Sequence, residues 1–138
     1  MTKLEQLEAL AISQGAEIVN MQLPGVDGLC MGKTIFLSPG LTYRRRIAVL
    51  AEELAHLQYT VGDITSQNTV DKRKAELLAR RKSYEAIVPF EDIIEMLKAG
   101  EYLSDVAELY ELPEDYIFEA LTWYQTKHPD IPERRMVV

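Results

Sequence analysis

Three side chains near the middle of the sequence have the types and spacing that metal-assisted hydrolysis requires. Glu52, Glu53 and His56 fall within the segment Leu50–His56. On a helix, Glu52 and His56 stand at positions i and i+4 and share one face. Two such side chains can bind one metal ion, and a carboxylate beside them can accept a proton from an attacking water.

This spacing resembles the H-E-x-x-H helix of zinc peptidases, with glutamate in place of the first histidine. A catalytic zinc site needs about three protein ligands, and Glu76 on the next predicted helix offers a third. Basic residues surround Glu76, so we expect its carboxylate to be ionised. Alone, the E-E-x-x-H pattern is weak evidence and favours a solvated helix face that carries one exposed histidine. The basic neighbours of Glu76 are Lys72, Arg73, Lys74, Arg80 and Arg81.

The elements that must position these residues follow from hydrophobic spacing and turn signals. An apolar stripe that includes Ile47, Leu50 and Leu54 predicts a helix from Tyr43 to about residue 60, capped by Thr42. Strands precede this helix and helices follow it, which predicts an α+β fold with a small three-stranded antiparallel sheet. The other predicted elements are a helix over 2–14, strands at Ala16–Leu23, Val26–Met31 and Thr34–Leu37, a loop over 62–69, and helices at Val70–Ile87, Phe90–Ala99, Leu103–Tyr110 and Pro113–Gln125, before an irregular tail from His128.

Composition and charge narrow the classes of function. The 138 residues carry a net charge of −7, which disfavours general affinity for nucleic acid or anionic membranes. The charge is uneven, because residues 41–89 carry +3 and residues 90–138 carry −8. A single cysteine, Cys30, excludes an internal disulfide framework. No apolar span reaches about 20 residues and the start lacks a signal-peptide block, so we expect a cytoplasmic protein without a membrane anchor.

The order of motifs resembles the ImmA/IrrE-type metallopeptidase family over about residues 1–90. The similarity rests on the strand end Ile35–Leu41, the basic start and E-E-x-x-H motif of Arg44–His56, and the segment Glu76–Pro89, in which E-x-x-A leads to an aliphatic pair and proline. The short forms found in phages and integrative elements are the most similar. Many of them read E-E-L-x-H followed by T-x-G-[DN]-I, as Thr60–Ile64 does here.

This resemblance implies a zincin-like peptidase domain over 1–89, with residues 90–138 as a helical extension packed on it. It implies Glu53 as general base and Glu52, His56 and Glu76 as metal ligands, with Asp63 as a further possible ligand. The expected metal is zinc. Manganese is an alternative, because the set is rich in carboxylates, and a metal-free site also stays open because the second histidine common after this motif is absent. The implied activity is cleavage of a helix-turn-helix repressor.

Two other functions remain open from the sequence. With the first histidine replaced, the domain could bind a repressor without cutting it, as a non-catalytic antirepressor. The segments Leu103–Tyr110 and Pro113–Gln125 also have helix-turn-helix spacing. However, the second of them carries Glu114, Asp115 and Glu119, and carboxylates near phosphates are unfavourable. We therefore expect no direct DNA binding by this segment.

Overall fold

The fold is α+β, with six helices and a three-stranded sheet in the part of the chain described here. A computed structural model describes residues 1–60 and 69–129, with the side chains of 1–60 and 71–129. None of the helices in these ranges is long and apolar enough to cross a membrane. The elements are α1 Lys3–Ser13, β1 Glu17–Asn20, β2 Gly28–Met31, β3 Thr34–Leu37, α2 Tyr43–Tyr59, α3 Thr69–Ile87, α4 Phe90–Lys98, α5 Leu103–Tyr110 and α6 Glu114–Lys127.

The sheet is mixed, so the prediction of a purely antiparallel sheet was wrong. Strand β3 lies between the other two, pairing antiparallel with β2 and parallel with β1. The tight turn at Gly32, whose φ of +58° suits glycine, forces β2 and β3 into a hairpin. The longer link over residues 21–27 lets β1 and β2 stand one strand apart, and β3 fills the space between them.

The apolar core of this region lies between α1, α2 and the sheet. Helix α2 packs against α1, β2 and β3. Ile35 and Leu37 on β3 are fully buried, as is Leu50 on α2. The central strand β3 therefore provides the buried surface against which α2 packs. The buried cluster comprises Ala11, Ala16, Ile35, Leu37, Leu50, Leu54 and Leu57.

Both ends of α2 are fixed by threonines. As predicted, the Thr42 side chain caps the start by accepting a hydrogen bond from the Arg45 backbone N–H at 3.2 Å. Thr60 caps the end, where its own backbone N–H donates to the carbonyl of His56. These caps satisfy backbone groups that a helix end leaves without partners, and they set the length of the helix that carries the E-E-x-x-H motif.

The chain divides into two compact units, Met1–Ser83 and Tyr84–Val138, and the division falls within α3. The second unit has aromatic contacts of its own. The Tyr84 and Tyr116 rings pack edge to face at 5.2 Å, and the buried Tyr124 hydroxyl donates to the Val88 carbonyl at 2.8 Å. The first turn of α6 carries Glu114 and Asp115, the carboxylates that argued against DNA binding.

The central position of β3 predicts a large difference between two isoleucines. Ile35→Ala, at 0% exposure, should lower the free energy of unfolding by about 2–5 kcal/mol, because it leaves a cavity under α2. Ile12→Ala, at 61% exposure on α1, is the matched control and should change it by about 0.5 kcal/mol or less. Urea denaturation of both variants measures the two values, and a similar loss in both would contradict the position of β3 in the core.

Candidate metal centre

Helix α2 and helix α3 bring three potential metal ligands together. One turn of α2 separates Glu52 from His56, and α3 presents Glu76 to the same place. The His56 Nε2 and Glu76 Oε2 atoms lie 3.2 Å apart. One donor atom from each of the three residues lies within 4.8 Å of the others. The convergence predicted from the sequence is thus present in the first unit of the chain.

Glu53 is buried against the edge strand rather than lying on a polar face. Glu53 is 6% exposed as a residue, and so is His56. The reason is the close approach of α2 to β2 at Gly28. A Cβ atom at position 28 would lie 2.5 Å from Val49 Cγ1 and 3.0 Å from Glu53 Cγ. Only a residue without a side chain leaves Glu53 this space.

Burial sets the acidity of Glu53. Desolvation raises its pKa to about 7, the nearby charges of Glu52 and Glu76 act in the same direction, and the charge of His56 partly opposes them. A carboxyl group with a pKa near neutrality can both accept and release a proton at physiological pH. Burial of the Cys30 thiol on β2, together with the charge of Glu53, raises the pKa of this thiol to about 11. Cys30 is therefore a neutral neighbour and a poor nucleophile.

His56 and Glu76 shift each other's pKa in a manner typical of an ion pair. Burial acts to lower the pKa of His56, but the hydrogen bond to Glu76 and the charges of Glu53, Glu76 and Glu52 outweigh it and raise the pKa. The hydrogen bond to His56 lowers the pKa of Glu76, and Arg80 adds a smaller effect. Glu76 is therefore ionised as expected, although His56 contributes more to this than the basic neighbours do.

The other ring nitrogen of His56 has a partner from its own helix end. Nδ1 lies 2.9 Å from the Thr60 hydroxyl oxygen. The same hydroxyl donates to the His56 carbonyl at 2.9 Å. The ring is thus held on both sides, by Thr60 at Nδ1 and by Glu76 at Nε2, and its orientation is fixed.

The donor set fits a divalent metal ion. Ligand atoms that share a tetrahedral ion at about 2.1 Å lie roughly 3.4 Å from each other, so side-chain shifts of about 1 Å would close the set around one ion. Glu76 has freedom for such a shift, because its side chain is 64% exposed. One imidazole and two carboxylates suit zinc, and they suit a harder ion such as manganese better than a set with two histidines would.

The geometry extends the sequence prediction in two places. Glu52, His56 and Glu76 converge as predicted, whereas Glu53 is buried instead of lying on a polar helix face. Asp63 lies outside the described residues, as do the end of the Thr60–Ile64 motif and the tail from residue 130. Gly28 and Thr60 were missed as parts of the site. A glycine inside a predicted strand was the available signal for a close backbone approach. A threonine four residues after His56 was the signal for a contact on one helix face.

A helix with a buried glutamate between two potential ligands, a third ligand on the following helix and a small sheet beside them is consistent with a zincin-like fold. The comparison with known families agrees. Residues 13–122 match the Peptidase_M78 model, described as the IrrE N-terminal-like domain. The chain therefore belongs to this metallopeptidase family. The match extends beyond the first 90 residues that carried the resemblance and reaches into α6. No curated protein matches the chain significantly.

The contact between β2 and α2 predicts that any larger residue at position 28 destabilises the protein. Gly28→Ala should lower the free energy of unfolding by about 1–3 kcal/mol, because the new methyl group overlaps Val49 and Glu53. Gly40→Ala is the matched control, since a Cβ there meets nothing within 4 Å, and it should change stability by about 0.5 kcal/mol or less.

A double variant separates this steric cause from a general effect of the strand. Val49→Ala removes the nearest contact, so the combination with Gly28→Ala should lose less stability than the sum of the single changes. Urea denaturation of the four proteins gives the coupling. Additive losses would mean that the overlap at Val49 is not the cause.

Proposed function

We propose that this protein is a metal-dependent endopeptidase that cuts a helix-turn-helix repressor of a phage or integrative element. Membership of the peptidase family supports a peptidase-like function. The single observation that carries the proposal is the meeting of Glu52, His56 and Glu76 donor atoms beside the buried Glu53. The protein would act in the cytoplasm, where such a repressor binds DNA.

The three converging residues would hold the metal. His56 would bind through Nε2, and Glu52 and Glu76 each through one carboxylate oxygen. A divalent ion in this set, zinc by expectation and manganese as the alternative, would polarise the scissile carbonyl group and lower the pKa of the attacking water.

Glu53 would move the protons. Its carboxylate would accept a proton from the attacking water and deliver it to the nitrogen of the departing amine. Burial supports this role, because desolvation raises the pKa of Glu53, to about 7 without a metal ion, and so makes its carboxylate a stronger proton acceptor than that of an exposed glutamate. The packing of β2 at Gly28 fixes where the carboxylate stands, which limits its motion relative to the three ligands.

Strand β2 would hold the substrate. It lies at the edge of the sheet, and one row of backbone groups on an edge strand faces away from the ladder. An extended peptide can pair with such a row. Because Gly28 on this strand approaches Glu53, a peptide paired along β2 would pass close to the proposed base.

The repressor is proposed as substrate on the basis of two features of the sequence. The E-E-L-x-H and T-x-G-D-I motifs resemble those of the short phage and mobile-element forms of the family. Those forms are associated with repressor cleavage. Residues 90–138 carry a net charge of −8, which would attract a basic DNA-binding domain. The acidic first turn of α6 belongs to this region.

One observation favours a second candidate, a repressor-binding antirepressor without catalytic activity. Glu76 and His56 pair directly at 3.2 Å, and such a pair can be purely structural. Glutamate at position 52 also takes the place that histidine has in H-E-x-x-H. Zinc binding at one ion per chain distinguishes the two candidates, because only the peptidase requires it.

The proposed base gives the first test of activity. Glu53→Gln keeps the shape of the side chain but removes proton transfer, so cleavage of the proposed helix-turn-helix repressor should fall by about two orders of magnitude or more. Zinc affinity, measured by calorimetric titration, should be retained and is the control for an intact site. Full cleavage activity in Glu53→Gln would remove Glu53 from the mechanism, whereas a wild-type protein that binds zinc but leaves this repressor uncut would refute the substrate.

The replaced histidine gives the second test. Glu52→His restores the H-E-x-x-H pattern and should tighten zinc binding by on the order of ten-fold, because neutral imidazole is a good zinc ligand and brings no carboxylate to desolvate. Glu108→His, at an exposed glutamate on α5, adds an imidazole elsewhere and should leave the calorimetric affinity unchanged. Equal affinities in wild type and Glu52→His would show that residue 52 is not a ligand, and no binding by either would favour the non-catalytic antirepressor.

A further inference from the structure

Thr60 contacts His56 at three points. The backbone N–H of Thr60 donates to the His56 carbonyl at 3.0 Å. The Thr60 hydroxyl donates to the same carbonyl at 2.9 Å, and its oxygen lies 2.9 Å from His56 Nδ1. The residue that ends α2 therefore also touches the ring of the only histidine among the three proposed ligands.

Counting protons gives the direction of the ring contact. A hydroxyl group has one hydrogen, and the bond to the His56 carbonyl uses it. The oxygen can then only accept, so the proton between Thr60 and the ring must belong to Nδ1. The hydrogen bond from Nε2 to the ionised Glu76 carboxylate, at 3.2 Å, then requires a ring that carries both protons. Loss of one proton with Nδ1–H kept leaves a lone pair on Nε2. The exposed Glu76 side chain can turn away from that lone pair.

We propose that Thr60 is a positioning residue, which holds the His56 ring with its proton on Nδ1 and so makes Nε2 the ligand atom. The inference rests on the proposed function, because it concerns the same metal centre. Metal-binding histidines usually donate their second N–H to a carboxylate, a backbone carbonyl or water. Here the Thr60 hydroxyl, at the end of the same helix, is the acceptor. The backbone hydrogen bond from Thr60 to His56 fixes the position of this hydroxyl.

The competing arrangement reverses both protons. In it the Thr60 hydroxyl donates to Nδ1, and Nε2–H donates to the Glu76 carboxylate. The neutral ring would then offer no lone pair toward Glu52 and Glu76. The two arrangements differ in which ring nitrogen carries the hydrogen, and nitrogen NMR distinguishes these directly.

The first measurement uses metal-free protein labelled with ¹⁵N-histidine. The chain has two histidines, His56 and His128, so a His128→Gln variant assigns the signals. At a pH where the ring is neutral, we expect Nδ1–H in the wild type and a shift of the population toward Nε2–H in Thr60→Val. That variant keeps the backbone N–H and the branched shape of the side chain. Thr60→Ser should restore the wild-type tautomer.

The second measurement is calorimetric zinc titration of the same proteins. Thr60→Val should weaken zinc binding by at least about ten-fold, and Thr60→Ser should recover the affinity. The matched control is Thr122→Val, because the Thr122 hydroxyl makes the same type of intrahelical bond, to the Phe118 carbonyl at 2.9 Å, without a histidine beside it. Its zinc affinity and its His56 spectrum should equal those of the wild type.

The outcomes separate this inference from the proposed function. A wild-type ring that is already Nε2–H, or a tautomer ratio unchanged by Thr60→Val, overturns the role of Thr60 even if zinc binds tightly. Unchanged zinc affinity in Thr60→Val overturns it as well. A wild type that binds no zinc overturns the peptidase proposal instead, while the NMR comparison still decides whether Thr60 selects the tautomer.

Discussion

The packing of α2 against the sheet is the contact on which the rest of the site depends. Leu50 and Leu54 pack one side of the helix against the buried side chains of β3. With that side fixed, the helical period places Glu53 against β2 and turns Glu52 and His56 toward α3. The lack of a side chain at Gly28 then determines how closely the helix can approach the edge strand. The contacts of α2 with β2 and β3 therefore fix both the geometry of the site and the packing of the core.

The charges at the site are unbalanced, and this follows from that packing. Three carboxylates surround a single imidazole, and two of the four groups are buried. Desolvation disfavours charge, while like charges at short range disfavour each other. Glu53 responds by a raised pKa and Glu76 by pairing with His56. A divalent cation would offset the same excess of negative charge, so the electrostatics and the donor geometry favour the same kind of ligand.

The sequence was most informative where periodicity is strong. Helix α5 has the predicted bounds, and α2 begins at Tyr43 behind its Thr42 cap, because apolar spacing and cap chemistry are local signals. Glu52 and His56 could be placed together by helix geometry alone. Glu76 lies twenty residues beyond His56. The sequence offered it as a candidate ligand on the next helix, and the resemblance to a family strengthened that connection.

Features that depend on contacts between distant segments could not be read in the same way. The burial of Glu53 depends on the approach of β2, and although Gly28 signals a close approach, no local pattern shows which residue it meets. The sheet was predicted as antiparallel because short strands with tight links usually form hairpins. The central place of β3 results instead from the longer link before β2. The sequence predicted Thr60 only as part of a family motif, because the contact of Thr60 with His56 depends on side-chain direction at the helix end.

The insertion of β3 between β1 and β2 has a consequence for how the chain folds. The β2–β3 hairpin joins residues close in sequence, with Met31 opposite Thr34, so it can form early and with little loss of loop entropy. The β1–β3 pair is parallel, with Ile18 beside Ile35, and cannot form until the hairpin has turned back. Such non-local pairs slow folding. We therefore expect β1 and the preceding helix α1 to add late in folding. Their addition completes the core against a β2–β3 hairpin that already contains β2, the strand beside Glu53.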